Sequence, residues 1–178
     1  KICLKWEIED LSIHVIHSRK LNIKSIVTLR AVVDEMKGIL IPVDGSTCSR
    51  AAVRFIGARS KFMGEKPDVT LLNVQQNIPG TVIEHFSLEA VRSVYEAEGK
   101  AIVEKLAPEI EAYGIEPHMA VRIDDCGPAV AKIAVDDNID LITMGSRGLS
   151  PVKSFFLGSV SRSVLEHTTT PVLLVREK

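Results

Sequence analysis

Five short apolar segments recur along the chain from residue 37 onward, and segments with helical periodicity separate them. The apolar segments span residues 38–43, 69–74, 118–123, 140–144 and 171–175. Four of them are apolar nearly throughout, which is typical of strands buried on both faces of a parallel sheet. The third alternates polar and apolar residues and carries Arg122, so we expect it at an edge of the sheet.

The intervening segments have the spacing and the terminal residues of helices. They span residues 47–61, 87–113, 128–137 and 159–168. Gly114 follows the second helix as a C-terminal glycine, and Pro128 opens the third at a position where its missing N–H costs little. The fourth begins at Gly158-Ser159. Pro108 lies inside the second helix, and we expect it to kink that helix or to begin its last part.

This alternation predicts an α/β fold, a Rossmann-like doubly wound five-stranded parallel sheet with helices on both faces. We predict the strand order 3-2-1-4-5. Such sheets bind ligands beyond the carboxyl ends of the strands, at the point where the strand order reverses. The reversal falls between the first and fourth strands, whose following loops begin at Asp44 and Gly145. These two loops are therefore where we expect a ligand.

The first 35 residues have a different character. Apolar and polar residues alternate over residues 2–9, which is a strand signal, and the alternation continues loosely through Val15. Residues 21–33 fit a strand or a helix equally well. A strong strand follows Met36 at once. We therefore predict an N-terminal extension of uncertain origin over residues 1–35 and a separate domain over residues 36–178, and we assign the extension no chemistry.

Composition removes several classes of protein. Of 178 residues, 46% are hydrophobic and 25% are charged, which is the mixture of a globular domain. With 22 basic and 23 acidic residues there is no basic excess for nucleic acid, and 4% aromatic residues argue against base stacking. Three cysteines without a CxxC pair fit a reducing compartment, and no apolar run is long enough to span a membrane. We therefore expect a cytoplasmic protein without nucleic-acid or membrane partners.

The loops after the fourth strand contain the chain's main chemical signal. Gly145-Ser146-Arg147-Gly148 follows the strand, and Gly158-Ser159-Val160-Ser161 opens the last helix. Glycines allow close backbone approach, and free N–H groups at a helix start attract anions. One interpretation is a phosphate-binding loop, and the other is an ordinary turn before a capped helix. Neither a Walker A sequence nor a GxGxxG sequence is present.

Other reactive residue types give weaker signals. Asp44 either faces a ligand or only caps the next turn. No G-x-S-x-G sequence surrounds any serine of these loops, so we interpret Ser146, Ser159 and Ser161 as hydrogen-bond donors. The five histidines are scattered without a metal-binding spacing. We predict no catalytic residue and no protein metal site. Buried apolar packing is the more common role for Cys48 and Cys126, although redox-sensitive thiols are the alternative.

Residues 37–177 resemble the universal stress proteins. The resemblance rests on residues 41–46 (IPVDGS), 144–148 (MGSRG), 158–161 (GSVS) and 171–176 (PVLLVR). The ATP-binding branch of that family carries Gly-x2-Gly-x9-Gly-Ser/Thr, which Gly145, Gly148, Gly158 and Ser159 match in full. Asn73 departs from the family pattern, where a histidine often precedes the residue corresponding to Val74, and we expect little consequence for the nucleotide.

The resemblance implies that ATP binds at the reversal point together with Mg²⁺. The residues implied to hold the phosphates and ribose are Gly145, Arg147, Gly148, Gly158, Ser159, Val160 and Ser161. Those implied to border the adenosine are Pro42, Asp44, Val74 and Met144. The resemblance further implies a homodimer through the C-terminal strand, whose apolar edge we expect to be exposed at the end of the sheet.

The function implied is that of an ATP-binding regulatory protein of the stress response, with at most slow ATP hydrolysis. The sequence offers no clear general base or nucleophile for fast turnover. Two alternatives stay open, an ATP-dependent enzyme on the same fold and an interaction module that binds no nucleotide.

Overall fold

The architecture is an α/β sandwich built around one mixed sheet. The structure, a computed structural model, describes residues 2–8, 11–17, 36–78, 87–146 and 157–177. The strands are β1 (Ile2–Ile8), β2 (Leu11–His17), β3 (Gly38–Pro42), β4 (Asp68–Gln75), β5 (His118–Ile123), β6 (Leu141–Gly145) and β7 (Val172–Glu177). The helices are α1 (Thr47–Ser60), α2 (Leu88–Glu111), α3 (Cys126–Asp136) and α4 (Ser159–His167).

The sheet confirms the predicted parallel core. Its order is β1-β2-β7-β6-β3-β4-β5, so the five strands that follow the extension lie in the predicted order 3-2-1-4-5. They are parallel throughout, and β5 is an edge strand as expected. Two strands of the N-terminal extension enlarge this core to a seven-stranded mixed sheet.

The expectation that the last strand lies at a sheet edge is wrong. β2 pairs antiparallel with β7, from Leu11 opposite Glu177 to Ile16 opposite Val172, and β1 pairs antiparallel with β2. The strand indicated by the alternation over residues 2–9 is therefore β1, the outer half of a hairpin. The physical reason is that an apolar edge strand offers unpaired backbone groups, which the chain's own N-terminal strands satisfy here.

The helices pack in two layers, one on each face of the sheet. Ile39, Ile41 and Leu71 pack with α1 and α2 in one core, whereas Leu40, Ile142 and the residues of α3 and α4 form the other. The large side chains at the centre of both cores are completely or almost completely buried. The helices on both faces predicted from the alternating pattern are thus confirmed, and consecutive strand residues supply opposite cores.

The second helix does not stop or restart at its proline. α2 runs continuously through Pro108, and the N–H of Ala112 donates to the Pro108 carbonyl. Pro108 itself is exposed, whereas Ala107 and Ile110 on either side of it are buried. Burial of the apolar face outweighs the local cost of the missing N–H, so the helix does not begin a new part at Pro108, and the kink stays a prediction. No helix in the described ranges is long and apolar enough to cross a membrane.

Candidate functional site

The chain leaves β3 and β6 towards opposite faces of the sheet. β3 and β6 are neighbours, paired at Ile39↔Leu141 and Leu40↔Ile142. From β3 the chain enters α1 on one face, and after β6 it reaches α4 on the other. Departures to opposite faces from adjacent parallel strands leave a crevice at the carboxyl ends. The predicted reversal point therefore exists in the structure, and we call it the β3–β6 crevice.

Asp44 forms a tight turn at one side of this crevice. Gly45 has a φ of 78°, a conformation that glycine adopts without strain. The Ser46 N–H donates to Asp44 Oδ1 at 3.0 Å, and Ser46 Oγ then caps α1 by accepting from the Ser49 N–H at 3.1 Å. Asp44 is partly exposed, and its Oδ2 forms no hydrogen bond within the part of the chain that the structure describes. The carboxylate thus shapes the turn with one oxygen and keeps the other available.

Asn73 ties the end of β4 to the residue that precedes Asp44. Its side chain is 3% exposed, and its Nδ2 donates to the Val43 carbonyl at 2.8 Å. Gln75 Nε2 donates to Asn73 Oδ1 at 2.9 Å, so both ends of the amide are used. The buried amide therefore holds the backbone that presents Asp44 and the neighbouring Val74, which is partly exposed.

Gly145 ends β6 in direct contact with the first turn of α1. A Cβ added to Gly145 would lie 2.7 Å from the carbonyl carbon of Cys48 and 2.8 Å from its Cβ. Met144, 4% exposed, packs in the core on the opposite face. Glycine at position 145 is therefore required by packing, independently of any ligand.

The start of α4 lies beside the end of β6. The Gly158 N–H donates to the Ser146 carbonyl at 3.0 Å, and Ser161 Oγ donates to the Gly145 carbonyl at 3.1 Å. Within the described residues, no side chain caps the start of α4, whose N-cap residue is Gly158. Serine side chains, by contrast, cap α1 and α2. The N–H groups of the first turn are thus not satisfied by a capping side chain, and they carry the positive end of the helix dipole.

Ser146 is a residue that the sequence did not place in the ligand set. It is 9% exposed, and its Oγ has no hydrogen-bond partner among the residues that the structure describes. The same holds for Thr143 Oγ1 on β6, which is fully buried. A buried hydroxyl without a partner is unfavourable, so it calls for a ligand or a water molecule. The sequence feature that could have indicated this residue is its position between Gly145 and Gly148.

Cys126, the first residue of α3, is electrostatically coupled to Asp44. Burial, and secondarily the negative charge of Asp44, raises the pKa of the Cys126 thiol to about 11. The residue is partly exposed. The first residue of α3 therefore lies near enough to Asp44 for the two groups to interact electrostatically. Sequence spacing could not show this, because residues 44 and 126 are far apart along the chain.

The structure brings together most of the predicted site residues. Pro42 is buried at the end of β3, and Ser159 and Val160 are exposed in the first turn of α4. Ser161 is 2% exposed, and its hydroxyl donates to the Gly145 carbonyl. A ligand would therefore contact its backbone N–H rather than its hydroxyl. Arg147 and Gly148 lie outside the described residues. Within the described ranges, no group of three or more histidine, cysteine or acidic side chains is placed to hold a metal ion.

The thiol of Cys126 gives a prediction that tests the geometry without any ligand. Because its pKa is raised to about 11, its alkylation rate should increase about tenfold per pH unit between pH 8 and pH 10. Asp44→Asn removes the nearby charge and should accelerate alkylation at a given pH. Iodoacetamide labelling followed by peptide mass spectrometry measures both rates. A rate that levels off below pH 9, or one that Asp44→Asn leaves unchanged, would contradict the placement.

Comparison with known proteins agrees with this architecture. The sequence model of the universal stress protein family matches residues 35–176. A universal stress protein of Thermus aquaticus is 31% identical over 144 residues, which cover 79% of this chain and 98% of the relative. Another, from Methanocaldococcus jannaschii, is 28% identical over 158 residues. Its solved structure has a TM-score of 0.69 and 30% identity, covering 80% of this chain and 97% of the other. A universal stress protein from Archaeoglobus fulgidus, 20% identical with a TM-score of 0.61, shows the same fold.

Proposed function

The chain belongs to the universal stress protein family, and from that premise we propose that it binds ATP, accompanied by Mg²⁺, in the β3–β6 crevice. The observation that carries the proposal is the uncapped start of α4 beside the unpartnered hydroxyl of Ser146. Both offer hydrogen-bond donors to an anion at the point where parallel sheets bind ligands. Of the two sequence interpretations of this loop, these donors favour the phosphate-binding one.

Solved relatives support an adenine nucleotide. One universal stress protein has been solved with cAMP, the Archaeoglobus fulgidus protein with dAMP, and one from Arabidopsis thaliana with AMP. Their identity to this chain is only 19–21%, so they share its fold and do not identify its ligand. They support adenosine phosphates as the first ligands to test.

A triphosphate nucleotide would contact the crevice through two groups of residues. The backbone N–H groups of Ser159, Val160 and Ser161 would bind phosphate oxygens, with Ser146 Oγ as a further donor. Pro42, Asp44 and Val74 would border the adenosine at the opposite side, and Asp44 Oδ2 would accept from a ribose hydroxyl. Gly158 has no side chain, so it leaves the backbone at the start of α4 accessible. Arg147 and Gly148 complete the predicted set from the sequence motif.

Mg²⁺ would enter with the phosphates. The described acidic groups include no cluster that could hold the ion without the nucleotide. Mg²⁺ commonly binds through phosphate oxygens, a few carboxylates and water. We therefore expect the metal to strengthen ATP binding more than AMP binding, and to show no tight site in the free protein.

The proposed role is regulatory, with ATP as a bound signal in the stress response and at most slow hydrolysis. The crevice groups offer little for fast turnover. The Cys126 thiol stays protonated near neutral pH because its pKa is about 11, and the Ser161 hydroxyl is bound to the Gly145 carbonyl. Neither is activated as a nucleophile or positioned as a general base. The cytoplasmic location stays a prediction.

Identification of the nucleotide tests this proposal. Mass spectrometry of the purified chain should reveal a copurifying adenine nucleotide, and equilibrium dialysis with Mg²⁺ should show ATP bound more tightly than AMP. Turnover followed over hours should be slow. Release of ADP, AMP or pyrophosphate at enzymic rates would favour the enzyme alternative. Absence of binding by every adenine nucleotide would favour the interaction module and end the proposal.

Ser146 yields a prediction that separates ligand binding from folding. Ser146→Ala removes a buried hydroxyl that has no partner, so the free energy of unfolding should stay within about 0.5 kcal/mol or increase. ATP affinity should fall about fivefold, as expected for one lost hydrogen bond of about 1 kcal/mol. Urea unfolding and dialysis measure the two effects. Equal ATP affinity in both proteins would remove Ser146 from the site.

A further inference from the structure

The β1–β2 hairpin is attached to the parallel core through one strand edge. β2 pairs with β7 over six residue pairs, Leu11↔Glu177 to Ile16↔Val172, and β1 lies outside β2. The family match begins only at residue 35, so this hairpin is an addition to the shared domain. A two-stranded hairpin alone has marginal stability, so its order depends on the edge of β7.

Without β2, one edge of the apolar strand β7 would have no hydrogen-bonding partner. Val172 to Val175 are all between 0% and 2% exposed, and β6 satisfies only one edge of their strand. If β2 left, the backbone N–H and C=O groups on the other edge would lose their partners. An apolar strand with an open edge is a template for another strand.

A second copy of this chain is the partner that best fits the open edge. β2 occupies the edge in antiparallel orientation. Two copies related by a two-fold axis that meet through the same strand must also pair antiparallel, because a two-fold contact is self-complementary. β7 of a second copy would thus form the same type of ladder that β2 forms, with identical apolar strands.

The hairpin competes for the β7 edge at a higher effective concentration than a second copy of the chain, because it is tethered to the core. Its second strand ends at His17 and β3 begins at Gly38, both at the end of the sheet where the parallel strands start. Three strand spacings, about 14 Å, separate β2 from β3, far less than residues 18–37 can span. A tethered segment has an effective concentration in the mM range, about tenfold or more above usual protein concentrations.

We propose that the β1–β2 hairpin is a tethered cap that excludes a second copy of this chain from the β7 edge. The intact chain is then monomeric, and the homodimer expected from the sequence forms only when the cap is displaced. The proposal does not depend on the nucleotide site, since it rests on strand pairing along the edge of β7 that faces away from β6.

Displacing β2 in the full chain tests the cap. Adjacent strand residues direct their N–H groups to opposite sides, so Ile13→Pro combined with His14→Pro removes one N–H from the β7 side whichever residue faces it. Ile13→Ala with His14→Ala is the matched control that keeps both N–H groups. Sedimentation at about 10–100 μM, below the effective concentration of the tether, should give monomers for the wild type and the control and dimers for the proline variant. A folded proline variant that stays monomeric, or a dimeric wild type, would overturn the proposal.

A disulfide experiment keeps the proposal testable if the proline variant does not fold. Ser12 lies directly opposite Arg176, so Ser12→Cys with Arg176→Cys should form an intrachain disulfide and a permanent monomer. Glu7 lies one strand further out, so Glu7→Cys with Arg176→Cys is the matched control and should not cross-link within one chain. Peptide mass mapping separates these bonds from those of the natural cysteines. An interchain Ser12→Cys/Arg176→Cys bond, or no bond, would overturn the cap.

Discussion

Gly145→Ala is expected to lower the free energy of unfolding by about 2–3 kcal/mol, the cost of overpacking a tight site. The added Cβ would lie 2.7 Å from the carbonyl carbon of Cys48, closer than any ordinary contact, and the obstacle is helix backbone rather than a flexible side chain. Relief requires a shift of α1 against β6. Urea unfolding of both proteins measures the effect.

The control for this change is Gly64→Ala. A Cβ at Gly64 would have no atom within 4 Å, so its effect should stay within about 0.5 kcal/mol. A Gly145→Ala protein as stable as the control would show that β6 and α1 do not approach as closely as described. The result matters for function, because a loss of nucleotide binding in this variant would reflect a damaged fold.

Gly158→Val is expected to weaken ATP binding at least about tenfold, equivalent to 1.4 kcal/mol, while the protein remains folded. Gly158 has φ −59° and ψ 154°, which valine adopts without strain. Loss of glycine before the helix should cost no more than about 1 kcal/mol of stability. The branched side chain would stand at the start of α4, where the phosphates are proposed to approach the N–H groups.

Gly64→Val is the matched control for the binding experiment, since it adds the same side chain in open space away from the crevice. Equilibrium dialysis with labelled ATP compares the three proteins. If Gly158→Val binds ATP with wild-type affinity, the start of α4 does not bind the phosphates. Two glycines of one motif thus have separable roles, Gly145 in packing and Gly158 in access to the ligand.

Several crevice residues have structural roles besides their proposed ligand-binding roles, which limits what single substitutions can show. Asp44 Oδ1 accepts from the Ser46 N–H, and the Ser161 hydroxyl binds the Gly145 carbonyl. Changing either residue alters the turn or the helix start as well as any contact with ATP. Ser146 and Gly158 are better probes because the described structure gives their side-chain positions no such internal hydrogen bond.

The parallel core was predictable because its signals are local. Residues 38–42 and 141–145 are buried on both faces, and this burial appears in the sequence as unbroken apolar runs. The strand order 3-2-1-4-5, predicted with the doubly wound fold, placed Asp44 and Gly145 after neighbouring strands. The helical segment predicted over residues 87–113 is likewise present as α2, which does not restart at Pro108.

Pairing between distant strands was not predictable in the same way. The alternation over residues 2–9 indicated a strand but not its partner, so β2 covering β7 was missed. Likewise, nothing local relates Cys126 to Asp44, whose charge acts on the Cys126 thiol in the folded chain. The unpartnered hydroxyl of Ser146 required burial to be known. Periodicity specifies which face a residue takes, whereas partners across the sheet emerge only from the assembled fold.

A crystal structure grown with excess ATP and Mg²⁺ tests the central claim most directly. We expect the phosphates within hydrogen-bond distance of the Ser159, Val160 and Ser161 N–H groups, with the adenosine between Asp44 and Val74. A nucleotide bound elsewhere, or a β3–β6 crevice filled by the protein's own side chains at saturating ATP, would contradict the account.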